Sequence, residues 1–162
     1  MHAWFVFLHV LAVFTFFISH GVSYSVSFAL QKERELERIK TLLELSGNSY
    51  RGIYLSLYAL LGFGIIAGFT GKWWGEGWIW TSIVLLIVMI ALMGIFGGGS
   101  YGLARKLAGL PYAIKGKHMP AEPPAPRAEL DAVLAKANPM RLAMIGYGGL
   151  AIIAWLMMFK PF

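Results

Sequence analysis

Two histidines, His9 and His20, lie within a stretch from Met1 to Leu30 that contains no Lys, Arg, Asp or Glu. Imidazole can ligate a metal ion or haem iron, or it can serve as a hydrogen-bonded structural group. The two residues are eleven positions apart. On a helix that separation is roughly 1100°, three turns plus about 20°, so both fall on one stripe, about 16 Å apart along the axis. One metal ion with bonds of about 2.0–2.1 Å cannot hold both, so as ligands they would serve two sites. An ionisable group in an apolar span is a functional candidate by default, yet neutral histidine needs only hydrogen bonds. Thr15, Ser19, Ser23 and Ser27 share the helix, and Tyr54 and Tyr58 of the second apolar run reach about the depth of His20. Hydroxyls are therefore one expected set of partners. The other is haem b in a helical bundle with a His/Met pair: Met89 or Met93 for His20, Met157 or Met158 for His9. The remaining histidines, His2 and His118, lie outside the spans, so a second histidine ligand would come from another copy or a partner subunit. With no cysteine in the chain, thiolate sites, disulfides and covalent haem attachment are excluded.

The elements that must position these groups follow from composition. Hydrophobic residues make up 58% of the 162, and only 14% are charged, against about a quarter in soluble domains. Four runs carry no charge: 3–30, 52–71, 77–104 and 142–159. Each is long enough for the ~17–25 residues that cross a ~30 Å hydrocarbon core. The expected fold is all-α, a polytopic integral membrane four-helix bundle forming a single domain. The first run lacks a basic leader and a small-residue cleavage motif, so a retained span is expected rather than a signal peptide. Twelve of the 14 basic residues fall in the first and third connections, 31–51 and 105–141. The positive-inside rule then predicts both connections in the cytoplasm, both termini outside, and residence in a bacterial inner membrane. The net charge of +6 suits anionic lipid headgroups and calls for no nucleic acid.

Trp4, Trp73, Trp74, Trp78 and Trp80 gather near the outer ends of the spans, as expected of headgroup anchors. Gly64 and Gly68, then Gly94, Gly98 and Gly102, then Gly146 and Gly149, mark faces where helices can approach closely. The run Gly97–Ser100 also predicts a bend in span three. The segment 31–51 reads as a helical extension of the first span, with Leu36, Ile39 and Leu43 in one apolar stripe and Gly47 as its stop. The third connection reads as a proline-rich extended stretch followed by a short amphipathic helix with Leu130, Val133 and Leu134 on one side. That connection is expected to be a tether or a docking segment for a partner.

The sequence FLHVLAVFTFFISHG, with Leu8-His9, Phe16 and Ser19–Gly21, followed by the charged segment, resembles small bacterial membrane proteins of the CopD and HemJ type, including the DUF2269 group. The resemblance covers mainly Met1–Ser46. It implies a four-helix membrane protein concerned with haem or copper, with His9 as a candidate ligand. Span three holds no basic residue to match a HemJ-type lysine, so enzymatic oxidase activity is not expected.

The sequence shows no nucleotide motif and no acidic residue within a span. An accessory or scaffold subunit of a larger respiratory or photosynthetic membrane complex is the first expectation, its partners being lipid and other membrane subunits or further copies of itself. A haem- or metal-binding redox protein using His9, His20 and Met93 is the second, and a small transporter the third.

Overall fold

The structure, a computed structural model, describes residues 1–114 and 117–162. Five helices account for most of it: α1 (His2–Lys32), α2 (Leu36–Gly71), α3 (Gly77–Leu107), α4 (Arg127–Lys136) and α5 (Pro139–Phe159). Two short antiparallel strands, β1 (Tyr112–Ile114) and β2 (Lys117–Met119), pair Ala113 with His118 in the third connection. Helices α1, α2, α3 and α5 are each long and apolar enough to cross a membrane. The bundle has a tryptophan-rich end and a charged end.

The turn between α1 and α2 differs from expectation. Gly47 does not stop a helix; α2 runs through it unbroken from Leu36 to Gly71. The chain reverses instead at Glu33–Glu35, without glycine or proline. The Glu33 carboxylate accepts the backbone N–H groups of Arg34 at 2.7 Å and Glu35 at 2.9 Å. Those two bonds, the Glu35 one foremost, hold its pKa below the usual carboxylate range. Arg34 turns back onto the carbonyls of Gln31 and Glu33, at 3.2 and 3.0 Å. One side chain thus serves the start of a helix and the next serves the end of another. The charged segment is the first part of α2, lying antiparallel against α1, rather than an extension of α1. Gly47 is needed for a different reason: a Cβ there would stand 2.9 Å from Nη1 of Arg105.

Two cores stack along the bundle. At mid-height Ala12, Phe16, Leu60, Leu86, Met89, Leu150 and Ile153 pack together. At the charged end Val26, Leu30, Ile39, Leu43, Ala104, Ala108, Leu110, Leu130 and Leu134 form the second. The second holds the most deeply buried large side chains, including Leu30, Ile39, Leu43 and Leu130. Burial of apolar area drives association in water, whereas helices in hydrocarbon rely on close packing. The tighter of the two cores is the one at the charged end, where the chain carries most of its charges. The Ile39–Leu43 stripe faces this core, and α4 closes it from below with Leu130 and Leu134. The third connection therefore docks on its own chain.

A polar latch holds that connection in place. Tyr112 donates its hydroxyl proton to Glu122, and Lys106 reaches the other carboxylate oxygen at 3.4 Å. Nearby, the Ala125 N–H donates to the Leu107 carbonyl at 3.0 Å, and Gly102 lets the Ala113 carbonyl approach. The Tyr112 bond, assisted by Lys106, holds the Glu122 pKa below the usual range. A depressed carboxylate stabilises the fold above its unfolded pKa of about 4.3, and that contribution fades as pH falls through the lower folded value. Amide exchange in 117–126, compared at pH 7 and near pH 3 and corrected for the intrinsic rate, is expected to speed up at low pH. Tyr112→Phe should remove most of that difference; an unchanged difference would show that the latch contributes nothing.

Candidate functional site

His9 and His20 face different neighbours. His9 Nδ1 donates to the Leu60 carbonyl of α2 at 2.8 Å. That carbonyl can only accept, so Nδ1 carries the proton of this bond. Gly64 makes this seat, since a Cβ there would lie 2.9 Å from Nδ1 and 3.0 Å from Cε1. His9 is a clamp between α1 and α2.

His20 has no such partner. Its ring stacks on Phe16, one helical turn earlier, at 5.6 Å between centroids and 7° between planes. Tyr147 of α5 meets it edge-on at 6.1 Å and 70°. Tyr147 in turn packs on Phe17 and on Tyr24, at 5.9 and 5.0 Å. Inside this aromatic frame Nδ1 of His20 is fully enclosed and makes no hydrogen bond. Leaving such an atom unpaired costs about 1–3 kcal/mol.

The hydroxyls expected to satisfy it are engaged elsewhere or face outward. Thr15 and Ser27 donate to the carbonyls of Leu11 and Tyr24, and Ser23 bonds Ser49 at 2.6 Å and Ser46 at 3.2 Å. Ser19 lies against Gly52, a pairing that close approach of α1 and α2 imposes. Tyr54 and Tyr58 are 56% and 68% exposed on the outer face of α2. A helix whose inner face is taken by α1 at Gly52 and Ser56 has to point these rings away.

The wall opposite His20 is built from α3 and α5, and each carries one π-turn near this depth. The first spans Gly94–Gly98, the second Met144–Gly148. Gly97 of the first packs on Leu142, just before the second. A π-turn widens the helix by one residue, shifts the side chains that follow, and occurs often at functional sites. The first π-turn begins three residues before Gly97–Ser100, where a bend is expected, and the helix runs on through that segment. At Gly146 an added Cβ would stand 3.0 Å from His20 Nε2 and 3.9 Å from Met93 Cε. An imidazole and a thioether arm therefore converge on one glycine. Among the described residues no three His, Cys, Asp or Glu side chains come together. What faces Gly146 is thus an imidazole nitrogen and the methyl end of a thioether side chain; imidazole and thioether are ligand types that suit copper(I) or haem iron.

Other singled-out residues take varied positions. Gly68 seats the Trp74 ring and Gly149 seats Met89. Among the described residues Gly94 and Gly98 meet nothing beyond their own helix, and Gly102 faces a backbone carbonyl instead of a helix. They lie on the outer side of α3, because the buried face of its π-turn is taken by Gly97. Trp4 and Trp80 are well exposed, at 69% and 53%, with Trp73 and Trp74 half-buried. Trp78, expected as an anchor, is 3% exposed: Trp73 packs on it at 5.4 Å and Lys160 lies above both rings. Tyr147 was not apparent as a site residue, although its place between Gly146, Gly148 and Gly149 is a signal: a lone phenol among glycines can lean across to a neighbouring helix.

No family model, curated protein or solved structure matches this chain.

Proposed function

We propose that this chain is a multi-pass membrane redox protein in which His20 is the protein ligand to haem b or copper(I), with Met93 as the companion donor. The observation that carries this reading is the approach of His20 Nε2 and the methyl end of Met93 to Gly146, on a ring whose other nitrogen, Nδ1, makes no hydrogen bond among the described residues. With the charged end in the cytoplasm of a bacterial inner membrane, the site lies towards the inner leaflet. His20 would supply the strong nitrogen donor, and Met93 a weaker one that favours the reduced state of the metal. Phe16 and Tyr147 fix the ring plane, and Gly146, lacking a Cβ, leaves room for the Nε2 edge of the ring. His9, engaged with Leu60, is a structural group in this reading.

The test is the visible spectrum of detergent-purified protein supplied with haem, oxidised and reduced, with copper(I) binding measured beside it by competition against a chromogenic chelator. His20→Ala should lose essentially all binding, Met93→Leu should keep haem with a shifted reduced spectrum or weaken copper(I) about tenfold or more, and His9→Ala should retain binding. A spectrum and copper affinity indifferent to His20→Ala would overturn the assignment.

A second reading, an accessory subunit of a larger membrane complex, is favoured by one feature. Gly94 and Gly98 present an open glycine face to which another helix could pack closely. Copurifying subunits lost on Gly98→Leu would support it.

A further inference from the structure

The charged end carries a cavity of 490 Å³ lined by Glu44, Gly47, Asn48, Arg105 and Pro111. Its basic group is held in place. Arg105 donates from Nε to the Pro111 carbonyl at 2.8 Å and from Nη1 to the Leu43 carbonyl at 2.7 Å. Two carbonyls thus fix the guanidinium plane, and the missing side chain of Gly47 leaves room for it. Neither bond neutralises its charge, and among the described residues no carboxylate lies within ion-pair distance of it. Glu44, on the same cavity wall, is likewise without a cation at that distance. A guanidinium and a carboxylate line one cavity and do not meet.

Depth narrows what could lie between them. Arg105 directly follows the uncharged run of α3, and Asn48 and Glu44 precede that of α2 by a few residues. At 1.5 Å per residue Asn48 and Glu44 lie roughly 6 and 12 Å before the start of that run, and the Arg105 side chain, reaching the Leu43 carbonyl, comes to their level, at the polar boundary of the apolar helices where a lipid headgroup can reach. The spare N–H donors of Arg105 suit a phosphate, which guanidinium binds by paired hydrogen bonds. Glu44 suits an ammonium. Asn48 can donate to a phosphate or glycerol oxygen. A headgroup carrying only negative charge would leave Glu44 opposed by a like charge, and a choline would offer it no N–H.

We propose that this cavity is a binding site for a zwitterionic lipid headgroup, phosphoethanolamine, with its phosphate on Arg105 and its ammonium on Glu44. The lipid then ties the end of α3 to α2 and to the turn before β1, at the charged end of the bundle.

Native mass spectrometry in mild detergent, with matched-chain phosphatidylethanolamine, phosphatidylglycerol and phosphatidylcholine added in turn, tests it. Phosphatidylethanolamine is expected to be retained at least fivefold over the other two. Glu44→Gln, a change on the exposed side of α2, should abolish the preference over phosphatidylglycerol while leaving the fold intact by circular dichroism. Asn48→Glu, which brings a second carboxylate to the phosphate side, should reduce retention of phosphatidylethanolamine and phosphatidylglycerol alike. Equal retention of all three by the unaltered protein, or a preference that survives Glu44→Gln, would overturn the proposal.

Discussion

Replacing Leu134 with aspartate is expected to release α4 from the bundle. Leu134 and Leu130 are 3% and 1% exposed, against Leu30, Ile39, Leu43 and Ala104. Removing the leucine alone forfeits about 2–5 kcal/mol of burial and packing. The carboxylate cannot remain in an apolar layer unpaired, so the helix leaves. Leu134→Asp should therefore become sensitive to proteases within 120–138 while the four long helices keep their circular dichroism. Ala135→Asp, on the exposed face of the same helix, supplies the control and should behave as the parent protein. If both variants resist alike, α4 does not close the core at the charged end.

The second large effect concerns α1 and α2. Gly64→Leu drives a side chain into the space of the His9 ring, whose Nδ1 would stand 2.9 Å from the new Cβ. Overpacking of about 1–3 kcal/mol and loss of a hydrogen bond contributing about 1 kcal/mol together predict a loss of roughly 2–4 kcal/mol. The thermal midpoint in detergent should fall by several degrees. Because the clash is with one ring, His9→Ala in the same chain should restore part of what was lost. Strict additivity of the two substitutions would mean that His9 and Gly64 do not share the seat described for them.

How far the sequence anticipates the fold depends on which solvent dictates each part. The four apolar helices are legible from uncharged runs, because a helix long and apolar enough to cross a membrane declares itself by length and composition alone. The stripe of Leu36, Ile39 and Leu43, and that of Leu130 and Leu134, are also legible, since water demands that they be covered. What covers them is not local information: α4 finds Leu30 and Ile39 about a hundred residues away. The reversal at Glu33–Glu35 was hidden for another reason. It uses no turn residue, only a carboxylate and a guanidinium that happen to serve two helix ends, while Gly47, the apparent breaker, is reserved for Arg105.

The site shows the same division. The depth of His20 and the candidacy of Met93 follow from counting along helices. Its missing hydrogen bond does not, because Ser23 bonds Ser46 and Ser49 of α2 and Ser27 bonds a carbonyl of its own helix. The π-turns are half visible. Glycine runs announce where a helix can depart from regularity, but the departure itself depends on α3 and α5 accommodating one another at Gly97 and Leu142.

The position of Gly146 on the last helix has a consequence for the order of assembly. Phe16 and His20 belong to α1, Met93 to α3, and the face that encloses them is contributed by α5. In a chain made from its N-terminus, α1 and α2 can clasp through His9 and the serines while α5 is still unmade. Until then His20 stands on an open surface, reachable from the side. The arrival of α5 is thus a closing door: it is the step after which the His20 ring is enclosed.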